Sequence, residues 1–200
     1  MSQSSRILSA TKWGVVPVSI VVSGLLVWQA SYAAFSSTTT NPTSNWTAGT
    51  VALTDDDSAT ALFTAATLKP GSTGTKCIVV TSAGNLASAV KLYGTTYSTT
   101  SALGSYINLV IDEGTGGTFA TSGPTSCTGF TSASTPFTGT LATFAAAKTS
   151  YATGVSSWAP TGSGSESKTF RIAYTLDAAT PNSAQGGTAA MGFTWEAQNS

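Results

Sequence analysis

The clearest pattern along the chain is the alternation of apolar and polar positions in two segments near its C-terminus. In 167–177 the apolar positions are Phe170, Ile172, Tyr174 and Leu176, and in 188–197 they are Ala189, Met191, Phe193 and Trp195. A period of two residues places each apolar set on one face of a strand. One apolar face and one polar face are typical of an antiparallel sheet that covers a core. The two segments, separated by a turn-rich stretch at 179–187, therefore predict two antiparallel strands.

Five segments upstream also predict strands, by alternation or as short apolar runs: 47–54, 60–68, 76–84, 87–97 and 105–112. The segment 76–84 is continuous enough to be buried on both faces. The Lys-Pro-Gly sequence at 69–71 predicts a tight turn, because Pro presets φ and Gly adds conformational freedom. We assign no strand to the long stretch 114–140, which is rich in Gly, Thr and Ser.

A short helix is predicted within 141–151. Its apolar and long side chains follow helical spacing at Leu141, Phe144, Ala145 and Lys148, and Ala is the best helix former. Seven short strands and one helix predict an all-β fold. The expected architecture is a single antiparallel β-sandwich, jelly-roll-like, with one short helix.

The N-terminus has the organisation of a signal peptide. The apolar run 14–28 is shorter than the about 20 residues that span a bilayer, and Arg6 and Lys12 precede it without an acidic residue. Small residues follow at Ser31 and Ala33, the −3 and −1 positions that a signal peptidase accepts. We therefore predict a signal peptide at 1–33 and a secreted domain at 34–200 that begins at Ala34 and has no membrane span. An uncleaved membrane anchor is the alternative.

Composition favours a secreted protein that assembles. Charged residues make up 8% of the chain, and removal of Arg6 and Lys12 leaves six basic against eight acidic residues. No basic patch is therefore expected for nucleic acid or an anionic membrane. A weakly charged, hydroxyl-rich surface is poorly repelled from its neighbours, which suits self-association.

The two cysteines, Cys77 and Cys127, both follow the predicted cleavage site. An even pair in a secreted chain predicts a disulfide, whereas a reactive thiol is the alternative. The bridge would connect the strand at 76–84 to the stretch 114–140.

Little in the sequence points to catalysis. The chain has no histidine, so it lacks the usual general base, the Ser-His-Asp triad and the HExxH zinc motif. Asp55–Asp57 lack the spacing of a calcium loop and are interpreted as a solvated turn, with calcium binding left open. No catalytic, cofactor or metal site is predicted. Trp158, in a loop, is the best candidate for ligand contact by an exposed aromatic, although a loop Trp also often covers the edge of a core.

The order of several short motifs resembles the TasA/camelysin family of secreted proteins, which have signal peptides cut by a SipW-type peptidase. The motifs are SYAAFSS at the cleavage site, then WTAGTVAL, LKPGSTGTK and NLASAVKLY, with Phe193 to Gln198 matching the family's C-terminal pattern. The likeness covers the first ~95 residues and the last ~30. It implies either a structural subunit of extracellular matrix fibres or a surface metalloprotease. The absence of histidine argues against zinc proteolysis by this chain.

The predicted mature N-terminus suggests how such subunits would join. Cleavage frees an uncharged arm, 34–44, in which Ala34 and Phe35 come first and Pro42 ends the β-favouring stretch. A neighbouring copy with an exposed sheet edge can accept this arm as an added strand, with Phe35 filling a pocket. We therefore expect self-association into filaments. A disordered tail, or a monomeric module that binds cell wall or carbohydrate, is the alternative.

Overall fold

The computed structural model describes residues 49–57, 61–63, 65, 67–119 and 127–200. In these residues the chain forms seven antiparallel strands in two sheets. The strands are β1 (Leu53–Asp55), β2 (Thr73–Ser82), β3 (Ser88–Thr99), β4 (Ile107–Thr115), β5 (Thr131–Thr140), β6 (Glu166–Leu176) and β7 (Ala189–Asn199). One sheet has the order β1-β2-β6-β4-β5, and the other contains β3 and β7. The predicted all-β sandwich is confirmed.

The core lies between the two sheets. The alternation of β6 buries Phe170 and Ile172 completely, and β4 contributes Leu109 and Ile111 from the neighbouring strand. From the second sheet, Val90 and Leu92 of β3 are fully buried, and Leu92 pairs with Trp195 of β7. Strands β3, β4 and β6 therefore bury the apolar face that their two-residue period predicts.

A single α-helix, α1 (Leu141–Ala147), closes one end of the core in the described part of the chain. Its buried residues are Leu141 and Phe144, and the side chain of Thr140 caps it by accepting a hydrogen bond from the Thr143 N–H at 3.1 Å. Phe144 packs edge-on against Phe137 with ring centroids 4.7 Å apart. The helix was expected from its spacing, and the cap explains where it begins.

Three strand assignments differ from the sequence prediction. The stretch 114–140 contains β5, although a strand of Ser and Thr with a Pro at position 136 shows no apolar alternation. Pro136 is tolerated because β5 is an edge strand. Conversely, the described residues of 60–68 form no strand, and the expected strand at 47–54 is reduced to the end of that segment and Asp55.

The predicted disulfide between Cys77 and Cys127 is confirmed. It joins the middle of β2 to the segment just before β5. Beside it, the guanidinium of Arg171 lies 4.9 Å from the Phe130 ring and donates two hydrogen bonds to Asp112, at 2.9 and 2.6 Å. These contacts fasten the segment 127–130 to the outer face of the five-stranded sheet.

The described residues contain no helix that is long and apolar enough to cross a membrane. The predicted signal peptide, its cleavage site at Ser31, Ala33 and Ala34, and the arm 34–44 with Phe35 all lie outside the described residues.

Candidate functional site: a free strand edge beside an apolar groove

Among the described residues, strand β7 is hydrogen-bonded to one strand only. It pairs with β3 along almost its whole length, and its other edge makes no main-chain hydrogen bond to any described residue. A sandwich sheet of two strands is small, because sheets most often have about 4–6 strands. The unpaired edge is therefore a place where an additional strand can be accommodated.

The pairing of β3 determines which main-chain groups of β7 face outward. The N–H groups of Val90 and Leu92 point away from β7, because they donate to the carbonyls of Trp158 and Val155 at 2.9 and 2.8 Å. In an antiparallel pair, the residue opposite such a position also directs its main-chain N–H and C=O away from the partner strand. The residues opposite are Ala197 and Trp195. The free edge thus presents the main-chain groups of Trp195, of Ala197 and, by alternation, of Phe193.

The same residues of β7 direct their side chains towards the core, yet they are only half-buried. Met191, Phe193 and Trp195 all have intermediate exposure, unlike Phe170 and Ile172, which are completely buried in the opposite sheet. They line an apolar groove of about 1100 Å³ between the edge of β7 and the five-stranded sheet. This volume exceeds the about 300–1,000 Å³ of ordinary small-ligand pockets. The space is therefore large enough for a compact ligand or for several side chains of an extended segment.

The walls of the groove come mainly from three parts of the fold, and Asp57, Leu103, Leu141 and residues 69–70, 180–182 and 184–188 complete the lining. The five-stranded sheet contributes Ile107, Leu109, Tyr174 and Leu176, the described residues of 61–68 contribute Leu62 and Phe63, and the third part is β7. Phe63 lies edge-on to Tyr174, with ring centroids 5.0 Å apart. On the opposite wall, the Trp195 indole Nε1 is buried and has no hydrogen-bond partner. The groove is therefore mainly apolar, and its polar lining residues include Asp57, Lys69, Asn182 and Gln185.

The outer edge of β3, in contrast, is covered. The segment 155–160 runs beside it, and the carbonyl of Pro160 accepts a hydrogen bond from the Ser88 N–H at 3.0 Å. The carboxylate of Glu113, on β4, anchors this segment. It accepts hydrogen bonds from the hydroxyls of Ser156 and Ser157, each at 2.6 Å, and from that of Ser134 at 3.0 Å. Sheet growth on the β3 side is therefore blocked.

The environment of Glu113 favours its charged form. Burial raises the pKa of the carboxyl, but the hydrogen bonds from Ser156, Ser157 and Ser134 together outweigh burial and hold the pKa below its ordinary value of 4.5. A charged carboxylate that accepts from several hydroxyls acts as a firm structural anchor. We assign it no chemical role, because its oxygens are occupied by structural partners.

The groove and the N-terminal end of the described domain lie at opposite ends of the sandwich. The groove is lined by the start of β4, the end of β6 and the start of β7. The chain joins the domain near the opposite end, where the Asn85 N–H donates to the Thr50 carbonyl at 2.9 Å in the loop between β2 and β3.

Of the residues that the sequence singled out, Trp158 is placed differently from the expectation of an exposed aromatic. It is 7% exposed and belongs to the core, so its ring is not available as a binding platform. Its main chain explains the burial, because the Trp158 carbonyl pairs with β3 and the side chain turns inward over the core. Trp158 therefore covers the edge of the core, which is the alternative that the sequence analysis gave for a loop Trp.

The acidic run 55–57 has structural contacts. The carboxylate of Asp56 accepts hydrogen bonds from the N–H groups of Val79 and Phe119, at 2.8 and 2.9 Å, and thereby ties the end of β1 to β2 and to the loop after β4. Among the described residues, no group of three or more His, Cys, Asp or Glu residues could hold a metal ion. The free edge of β7 was not identified from the sequence, because alternation does not reveal how many neighbours a strand has.

No protein-family model matches the sequence, and a search of curated proteins gives no match either. The likeness to the TasA/camelysin family therefore rests on the short motifs in the sequence.

Proposed function

We propose that this protein is a secreted structural subunit that self-associates into extracellular or cell-surface fibres. A signal peptidase would release the mature chain at Ala34, and the arm 34–44 of one copy would add as a strand to the free edge of β7 in the next copy. The observation that carries this proposal is the outer edge of β7, which pairs with no strand of the described part of the chain and lies beside a mainly apolar groove. Main-chain hydrogen bonds would supply affinity, and Phe35 would occupy the groove.

Two further features support assembly by strand addition. The half-buried Phe193 and Trp195 would become fully buried beneath an added strand, which would provide a hydrophobic driving force. The groove and Gly49, the first described residue, lie at opposite ends of the sandwich, so a contact made through the preceding segment would be head-to-tail. A head-to-tail contact that does not close into a ring gives filaments.

The first test is negative-stain electron microscopy of the mature chain, 34–200, beside a chain that lacks 34–40 and a Phe35→Ser variant. Wild type should form filaments, whereas both variants should remain folded and monomeric. Filaments from both variants at the wild-type concentration would reject strand addition by the arm. Occupation of a molecule's own groove would instead give a monomer whose state is independent of concentration.

A second test acts on the acceptor edge. Ala197→Pro removes an outward N–H while leaving the hydrogen bonds between β3 and β7 intact, since Pro is tolerated where the N–H faces away from the ladder. Ala197→Val is the matched control, because it adds a side chain but keeps the N–H. Loss of filaments in the Pro variant alone is expected, and equal assembly of the two variants would contradict the role of this edge.

A further inference from the structure

The apolar groove extends along β7. Side chains at alternate positions of this strand line it from Ala189 to Trp195, a distance of about 20 Å at 3.3 Å per residue. The facing wall is formed by the start of β4 and the end of β6, with the side chains of Ile107, Leu109, Tyr174 and Leu176. Apolar side chains of the two sheets therefore face each other along the groove.

Most of the polar lining residues lie at one end of the groove. Lys69 precedes a turn in which the Gly71 N–H donates a hydrogen bond to the Leu176 carbonyl at 2.8 Å, so this turn lies at the end of β6. Asn182 and Gln185 belong to the loop that leads into β7 and lie at the same end. The groove therefore has an apolar length and a polar mouth, which matches the polarity of an amphiphilic molecule.

The mouth carries a positive charge. Lys69 is exposed, and its ammonium forms no ion pair with any described residue, whereas the ion pair between Arg171 and Asp112 lies on the outer face of the five-stranded sheet. The acidic lining residue, Asp57, is engaged in an interaction of its own. An anionic group at the mouth would therefore meet a cation that has no acidic partner in the described part of the chain.

From this arrangement we infer that the groove binds a single long-chain carboxylate, with its hydrocarbon chain along β7 and its carboxylate at Lys69. The inference concerns the isolated domain and does not depend on how subunits join. The hydrocarbon chain would supply most of the affinity, because each buried methylene strengthens binding about fourfold. The exposed pair with Lys69 would contribute less than about fivefold in total, and would determine the orientation of the ligand and the sign of its headgroup.

Calorimetric titration of the chain 34–200 tests the hydrocarbon contacts. Octanoate, decanoate and dodecanoate are titrated below the concentrations at which they form micelles, into protein shown to be monomeric by sedimentation. One molecule should bind per domain, and the affinity should rise about fourfold per added methylene until the groove is filled. Absence of saturable binding, or an affinity that does not change with chain length, would overturn the inference.

Two substitutions on opposite faces of β7 test the location of the site. Met191→Gln nearly keeps the size of a groove side chain, and should weaken dodecanoate binding roughly tenfold because the amide loses its water beneath the ligand. Thr194→Gln places the same amide on the other face of the strand, outside the groove lining, and should change the affinity less than about twofold. Circular dichroism verifies that both variants are folded, and equal effects of the two would overturn the assigned site.

The position of the carboxylate is tested by charge. Wild type should bind dodecanoate more tightly than dodecyltrimethylammonium, which has a similar chain and the opposite charge. Lys69→Glu should reverse this preference without abolishing binding, because the hydrocarbon contacts remain. Lys168→Glu makes the same charge change at the other end of β6 and should leave the preference unchanged. A wild-type preference for the cation, or a preference that Lys69→Glu leaves unchanged, would overturn the placement of the headgroup.

Discussion

Replacement of Glu113 tests whether a single buried carboxylate holds the covering segment 155–160 against the sandwich. Glu113→Ala removes the acceptor of hydrogen bonds from Ser156, Ser157 and Ser134. Ser157 and Ser134 are exposed and can bond to water instead, but Ser156 is buried. The expected loss of stability is therefore that of one buried charge-assisted hydrogen bond and part of the others, about 2–3 kcal/mol.

The pH dependence provides an independent check. Because the pKa of Glu113 is lower in the folded protein than in the unfolded chain, its contribution is present above the unfolded pKa and is lost as pH falls through the folded pKa. Glu113→Gln keeps the size of the side chain but not its charge. The stability difference between wild type and Glu113→Gln should therefore be about 1 kcal/mol at pH 7 and should disappear in acid.

Urea unfolding followed by circular dichroism measures both effects. At about 1–3 kcal/mol per molar urea, Glu113→Ala should lower the midpoint by roughly 1 M at pH 7. Glu166→Gln is the comparison variant, because Glu166 also accepts hydrogen bonds, from Thr161 at 2.6 and 2.8 Å, but is only half-buried at the first residue of β6. The reasoning would be refuted by a Glu113→Ala loss below about 0.5 kcal/mol, or by a wild-type advantage over Glu113→Gln that persists unchanged to pH 2.

Three further predictions concern the disulfide, the core and the assembled form. Replacing Cys77 and Cys127 by Ala should cost about 4 kcal/mol in the chain-entropy model for a separation of 50 residues, measured as the unfolding midpoint against wild type; no change would contradict the role of the bridge. Phe170→Ala should cost about 3–5 kcal/mol, because the side chain is completely buried. Phe193→Ala should destabilise the monomer less than Phe170→Ala does, but should impair filament formation more. The opposite ranking of the two variants would contradict the positions assigned to these side chains. Filaments should have an axial repeat of about 40 Å, since the longest strand, β3, has 12 residues at 3.3 Å each; electron microscopy measures this repeat, and a value below about 25 Å would exclude end-to-end stacking.

The sequence is most informative where one face of a strand is apolar. In β6 and β7 a period of two residues is sufficient to identify both the strands and the faces that they turn towards the core. The disulfide was also predictable, because only two cysteines are present. In contrast, β5 could not be recognised, since its half nearest Thr131 is exposed on an edge and its Ser and Thr side chains carry no apolar period.

The groove could not be predicted from the alternation of apolar and polar residues. Phe193 and Phe170 occupy equivalent positions in their patterns, but one is half-buried and the other completely buried. The difference in burial arises because β6 has a paired strand on each side, whereas β7 pairs only with β3 in the described part of the chain. The number of neighbouring strands is a property of the whole sheet. Trp158 illustrates the same limit in a loop, because its burial follows from main-chain pairing with β3.

The placement of the start of the domain and the groove at opposite ends has a consequence for polymer growth. If strand addition joins the subunits, each molecule has a valence of two, with one donor and one acceptor of unlike kind. Such monomers give linear, unbranched and directional chains, in which one terminus has an empty groove and the other a free arm. A synthetic peptide of residues 34–44 would then act as a chain terminator at one terminus only, and would shorten filaments at amounts far below one peptide per subunit.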